Sequence, residues 1–162
     1  CRNNPFGFQW FPIPWLDGST EAQAKEAMGR SVSLLNEWLD KVLADEGLTA
    51  DRMVVVGFSQ GTMMALHVLP RRDKAVAGII GFSGRLLAPE LLATEARVKP
   101  PVLLLHGDQD PMVPFQDMQL AGEALEAAGF TVYGHVMKGT GHGISPDGLS
   151  VALSFVKDRL GK

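Results

Sequence analysis

The pentapeptide Gly57-Phe58-Ser59-Gln60-Gly61 constrains this chain most, because it joins a strand pattern directly to a helix pattern. The β-branched run Met53-Val54-Val55-Val56 predicts a short strand covered on both faces. Thr62-Met63-Met64-Ala65-Leu66 continues as an apolar helix that stops near Pro70. A serine at such a corner is forced into a strained backbone and lifts its hydroxyl above the sheet. Glycines two residues to either side let the chain pass close to itself. The setting predicts a nucleophile; the competing reading of Ser59 is an ordinary helix N-cap.

The rest of the chain repeats the strand-helix alternation. Strands are expected near 52–58, 76–82, 102–107 and 131–136, with helices near 60–69, 117–128 and 146–160. Ahead of them, Thr20 and Gln23 form a capping-box pattern. Ala24, Met28, Val32, Leu35, Leu39 and Val42 then mark one face of a long helix that Gly47 ends. The stretch Arg85–Lys99 is the least regular, with a short helix expected around Pro89–Arg97. This order implies an α/β fold: a mostly parallel sheet with right-handed connections and helices on both faces.

A nucleophilic serine needs a base, and the base needs an orienting acid, in this fold class in the order Ser, Asp or Glu, His. The buried strand Pro101–His106 runs through Gly107 into Asp108-Gln109-Asp110-Pro111, on the rim where parallel sheets bind ligands. Asp108 suits a hydrogen bond to its own turn. Asp110, fixed by Pro111, is the favoured acid. Of four histidines, His67 falls in a helix, His106 ends a strand and His135 sits inside one, so each has a structural role at hand. His142 lies in the glycine-rich loop Gly139–Gly143, before a helix opened by Ser145-Pro146-Asp147 with an N-cap, a first-turn proline and an acid at the positive dipole end. His142 is therefore the candidate base, and the Gln60 N–H a candidate oxyanion donor.

These stretches, Gly57–Gly61, His106–Pro114 and Gly141–Ser145, resemble the three signature segments of the phospholipase/carboxylesterase family, which includes acyl-protein thioesterases and small bacterial carboxylesterases. Ser83-Gly84 and Gln9-Trp10-Phe11-Pro12-Ile13 are similar to two further family landmarks. The resemblance covers essentially the whole chain. It implies an α/β-hydrolase fold, a Ser59-His142-Asp110 triad, and hydrolysis of carboxylic esters or thioesters without metal or cofactor. It also implies that Trp10 faces the pocket.

One departure stands out. The second oxyanion donor should come from a glycine-containing loop well upstream of Ser59. Residues 1–14 are aromatic and proline-rich and 19–46 are helical, so none qualifies. The chain starts at Cys1, after the family's first strands. Residues 1–162 are thus expected to be a single domain forming the carboxy-terminal part of a longer one, completed by a missing N-terminal segment or a companion chain. The strand before Ser59 would otherwise carry an unpaired edge.

Composition bears on partners. A net charge of −3 with no basic cluster argues against nucleic acid, and no apolar run approaches a membrane span. A single cysteine excludes an internal disulfide and fits a cytoplasmic location. Histidines and acids lack metal-ligand spacing, and no phosphate-binding glycine loop is present. The expected partner is a small acyl-ester substrate, with a homodimer left open. Five of the twelve aromatics, Phe6, Phe8, Trp10, Phe11 and Trp15, fall in the first fifteen residues, as core or pocket. Leu86 and Leu87 with Met112 and Val113 could line an apolar acyl groove, or simply pack. The reading is a serine carboxylesterase acting through an acyl-enzyme, with lysophospholipase or acyl-protein thioesterase activity as alternatives. A catalytically silent interaction module is the alternative from another class.

Overall fold

A computed structural model describes residues 7–161, which form two compact units divided after Gly47. Cys1 and Phe6 lie outside the described residues, as does the side chain of Trp15.

The first unit holds α1 (Pro14–Asp17) and the long α2 (Glu21–Glu46). The expected capping box opens α2: Gln23 N–H donates to Thr20 Oγ1 at 3.2 Å, and Thr20 N–H to Gln23 Oε1 at 2.8 Å. Gly47 ends it in the left-handed conformation, at φ 63°. The buried positions are Ser31, Leu35 and Leu39, four residues apart as a single helix face requires. Ser31 is tolerated there because its hydroxyl donates to the Trp10 carbonyl.

The second unit alternates β1 (Val54–Phe58), α3 (Gln60–Val68), β2 (Gly78–Phe82), α4 (Pro89–Glu95), β3 (Val102–Gly107), α5 (Gln116–Ala127), β4 (Val132–Met137) and α6 (Pro146–Leu160). All strand pairs are parallel, in the order β1-β2-β3-β4, with Gly57, Gly81, Leu104 and Gly134 in one row of the register. Period-2 alternation gives the sheet two covered faces. Ile80, Phe82, Leu103, Leu105 and Met137 pack with Ala152 and Phe155 of α6. On the opposite face a β-carbon at Gly81 would meet Thr62 of α3, and one at Gly134 would meet Met118 of α5. The fold is the expected α/β arrangement with helices on both faces.

Two details differ from the sequence reading. β1 and β2 each begin two residues later than expected, β1 because Ala50–Arg52 closes a 3-10 turn first. β1 is also not covered on both faces: Val56 is 57% exposed and Phe58 39%. The reason is its place at the end of the sheet, where among the described residues it pairs with β2 alone. The β-branched run reports strand propensity, which edge and central strands share.

Phe155 anchors the α6 face. Its ring packs against the space a side chain at Gly78 would need, lies edge-on to Tyr133 at 6.0 Å, and carries the Arg159 guanidinium 5.3 Å from its centroid. Phe155→Ala should cost about 3–5 kcal/mol. Leu153→Ala, two residues away but 53% exposed, should cost less than about 0.5 kcal/mol. Urea unfolding of the two variants checks the assignment of the buried face.

Candidate active site

Ser59 sits between β1 and α3 at φ 53° and ψ −116°, one of three non-glycine residues with positive φ among those described. Such a backbone costs on the order of 1–3 kcal/mol and persists only where its surroundings enforce it. Here Ser59 N–H donates to the Phe82 carbonyl at 2.9 Å, and the Ser59 carbonyl accepts from Met63 N–H at 3.2 Å. Its side chain makes no capping bond to α3, so the N-cap reading of this serine fails. Of the two flanking glycines only Gly57 is required by close approach, since a β-carbon at Gly61 would meet nothing within 4 Å. A β-carbon at Gly57 would sit 2.5 Å from backbone atoms of Gly61 and Thr62, and one at Gly84 would sit 2.9 Å from the Ser59 carbonyl. Gln60 opens α3, at the positive end of the helix dipole.

The acid and base candidates meet. Asp110 Oδ2 lies 2.7 Å from His142 Nδ1, with the Asp110 side chain fully buried and that of His142 20% exposed. A carboxylate only accepts, so Nδ1 carries the proton and Nε2 of the neutral ring is left as an acceptor. Asp110 Oδ1 accepts from Met112 N–H at 2.8 Å and Val113 N–H at 2.9 Å. His106 Nε2 is 3.4 Å from Asp110 Oδ2, but its shorter contact, 3.0 Å, is to the Val113 carbonyl, to which it donates. The Phe58 ring lies 4.8 Å from that of His142, which places the imidazole beside the residue preceding Ser59. The sequence reading missed this contact; its only trace is an aromatic at the second position of the pentapeptide.

The other candidates are placed as follows. Asp108 hydrogen-bonds not its own turn but the loop ahead of α6, accepting from Gly139 N–H at 2.7 Å. His135 pairs with Asp147 at 2.7 Å, and Asp147 is held down to about 2 by the Ser145 hydroxyl and the His135 ring. His67 is half-buried in α3, and burial lowers its pKa. Leu86 and Val113 are buried, whereas Met112 is 61% exposed. Trp10 belongs to the first unit, where it lines a cavity of about 710 Å³ with Gln9, Phe11, Arg30 and Leu34. Among the described residues no group of three His, Cys, Asp or Glu side chains could hold a metal ion, and no helix is long and apolar enough to cross a membrane.

A parallel sheet covered by helices on both faces, with a positive-φ serine at a strand-helix corner, defines an α/β-hydrolase fold. The chain belongs to the Phospholipase/Carboxylesterase family, whose model matches residues 2–160. It is 29% identical over 159 residues to acyl-protein thioesterase 1 of Gibberella zeae, covering 93% of this chain and 68% of that one. It is 27% identical to esterase YpfH of Escherichia coli over 95% of this chain and 64% of the relative. The crystal structure of esterase PE8 superposes with a TM-score of 0.90 at 38% identity, covering 99% of this chain and 74% of the other. The chain thus spans about two thirds of the length of these two curated relatives, with 68% and 64% covered.

Burial alone would raise the Asp110 pKa. The His142 N–H, the Val113 and Met112 amides and the charge of the imidazolium outweigh it, so the carboxyl ends below its ordinary value. A group depressed on folding contributes stability that is full above its unfolded pKa, about 3.9 for Asp, and lost as pH falls through the lower folded value. The urea midpoint should therefore fall below about pH 4. The difference between wild type and Asp110→Asn should shrink over that same range in parallel unfolding curves.

Proposed function

We propose that this chain carries the catalytic residues of a serine carboxylesterase: Ser59 as nucleophile, His142 as base and Asp110 as the orienting acid. The observation that carries the reading is the 2.7 Å bond from His142 Nδ1 to the buried Asp110, with the His142 ring against the Phe58 neighbour of Ser59. In this reading Ser59 Oγ attacks the ester carbonyl while His142 Nε2 takes its proton. The tetrahedral oxyanion is stabilised by the Gln60 N–H at the start of α3. Collapse expels the alcohol, which leaves with the proton from His142, and a covalent acyl-serine remains. Water then attacks with the same base, and the carboxylic acid is released. Asp110 stays ionised throughout and stabilises the imidazolium.

The same chemistry applies to thioesters, since only the leaving group differs. That several relatives are named acyl-protein thioesterase supports a thioester as the second substrate class. Met112 and Val113, which follow Asp110 in the same loop, and Leu86 are proposed as contacts for the acyl chain.

Ser59→Ala should abolish p-nitrophenyl butyrate hydrolysis and labelling by a fluorophosphonate while leaving thermal unfolding in place. Asp110→Asn should reduce kcat about 10⁴-fold, because an amide can present the imidazole with the wrong tautomer. Activity retained in the serine variant would reject the reading. A wild-type protein that neither turns over ester nor takes the probe would favour a silent interaction module.

A further inference from the structure

We propose that Asp108 is a positioning residue for His142, holding the base-bearing loop in register with the acid through the Gly139 amide. The proposal rests on the Ser59-His142-Asp110 reading above. The loop after β3 and the loop after β4 face each other as a short ladder with three rungs. Asp108 Oδ1 accepts from Gly139 N–H at 2.7 Å, Gln109 N–H donates to the Thr140 carbonyl at 3.1 Å, and Asp110 Oδ2 accepts from His142 Nδ1 at 2.7 Å. The outer rungs are the two carboxylates, and the middle one is main chain.

Each rung has a distinct part. The loop carrying His142 is rich in glycine, and Gly139 turns at φ 65°, so its own backbone specifies little. Gly107 lets the loops touch: a β-carbon there would collide with the Thr140 and Gly141 carbonyls. The contact sets distance, and the Asp108 bond sets register, three residues before the imidazole. The other main-chain tie at that end, Asp108 N–H to the Met137 carbonyl, is longer at 3.3 Å. A charge-assisted acceptor at 2.7 Å is the stronger constraint. Without Asp108 the ring of His142 would sample other positions, and small displacements of a base are costly to rate.

The test compares Asp108→Ala with Asp108→Asn, whose amide oxygen can still accept from Gly139. Asp108→Ala should lower kcat for p-nitrophenyl butyrate about 10- to 100-fold. KM should change less than about twofold, because no substrate contact is removed. Asp108→Asn should restore kcat to within about threefold. An independent readout is the low-field proton resonance of His142 Nδ1–H, assigned by its loss in His142→Ala. It should broaden or vanish in the alanine variant and survive in the asparagine variant. Should Asp108→Ala fail to fold, Asp108→Ser, whose hydroxyl is too short to reach, takes its place. Unchanged kcat and resonance in the alanine or serine variant, or equal losses in alanine and asparagine, would overturn the proposal. If the wild-type protein proves inactive, the resonance still decides whether Asp108 holds His142, so the two readings fail separately.

Discussion

The second unit depends on how closely the first turn of α3 lies against the sheet. Gly57, Gly81 and Gly84 leave no side chains in that contact, and Thr62 fills the space, its hydroxyl donating to the Phe82 carbonyl at 2.7 Å. Because α3 is seated so low, the chain must reverse within one residue at the end of β1. Ser59 takes up that reversal. Its positive φ follows from helix-sheet packing, and its own hydrogen bonds to Phe82 and Met63 hold it there. Strain at one residue is stabilised by a core that could not form without it.

Asp110 and His142 are supported in another way. Neither Asp110 nor His142 lies within a regular element; both sit on loops that leave the ends of neighbouring parallel strands. Pairing of β3 with β4 brings the two loops side by side, and the bonds of Asp108 and Gln109 to Gly139 and Thr140 align them. The candidate site therefore combines a serine fixed by the packing of a helix with a histidine fixed by loop-to-loop hydrogen bonds. Loops positioned by a rigid sheet are a common place for reactive groups, since side chains there escape the demands of the core.

Much of this was legible in the residues. The alternation of short apolar runs with helix patterns located the strands of the second unit to within about two residues, the usual margin for element ends. The candidate serine, aspartate and histidine stand out in chain order and by the glycines and prolines around them. What could not be read is tertiary. Val54-Val55-Val56 looks the same at the edge of a sheet as at its centre, so the exposure of Val56 was not foreseen. In the sequence Asp108 matches its own turn, because local hydrogen bonds are the only ones a sequence displays. Its partner Gly139 is 31 positions away and becomes a neighbour only through the register of β3 with β4. Phe58 reads as strand, as it is, and its ring contact with His142 has the same long-range origin.

The two aspartates of the Asp108-Gln109-Asp110 turn show why sequence spacing cannot rank them but surroundings can. Asp108 remains exposed and accepts one amide. The side chain of Asp110, two residues on, is fully buried, so every lone pair it turns inward must be met. Two main-chain amides meet Oδ1, and the His142 N–H meets Oδ2, with His106 held 3.4 Å away by its own bond to the Val113 carbonyl. Burial without those donors would neutralise the carboxyl; with them it stays charged. A buried, ionised acid fixed on the side of the imidazole away from its free nitrogen is what a histidine base needs in order to become an imidazolium. Of the two, Asp110 meets that condition, while Asp108 is exposed and bound to the opposing main chain.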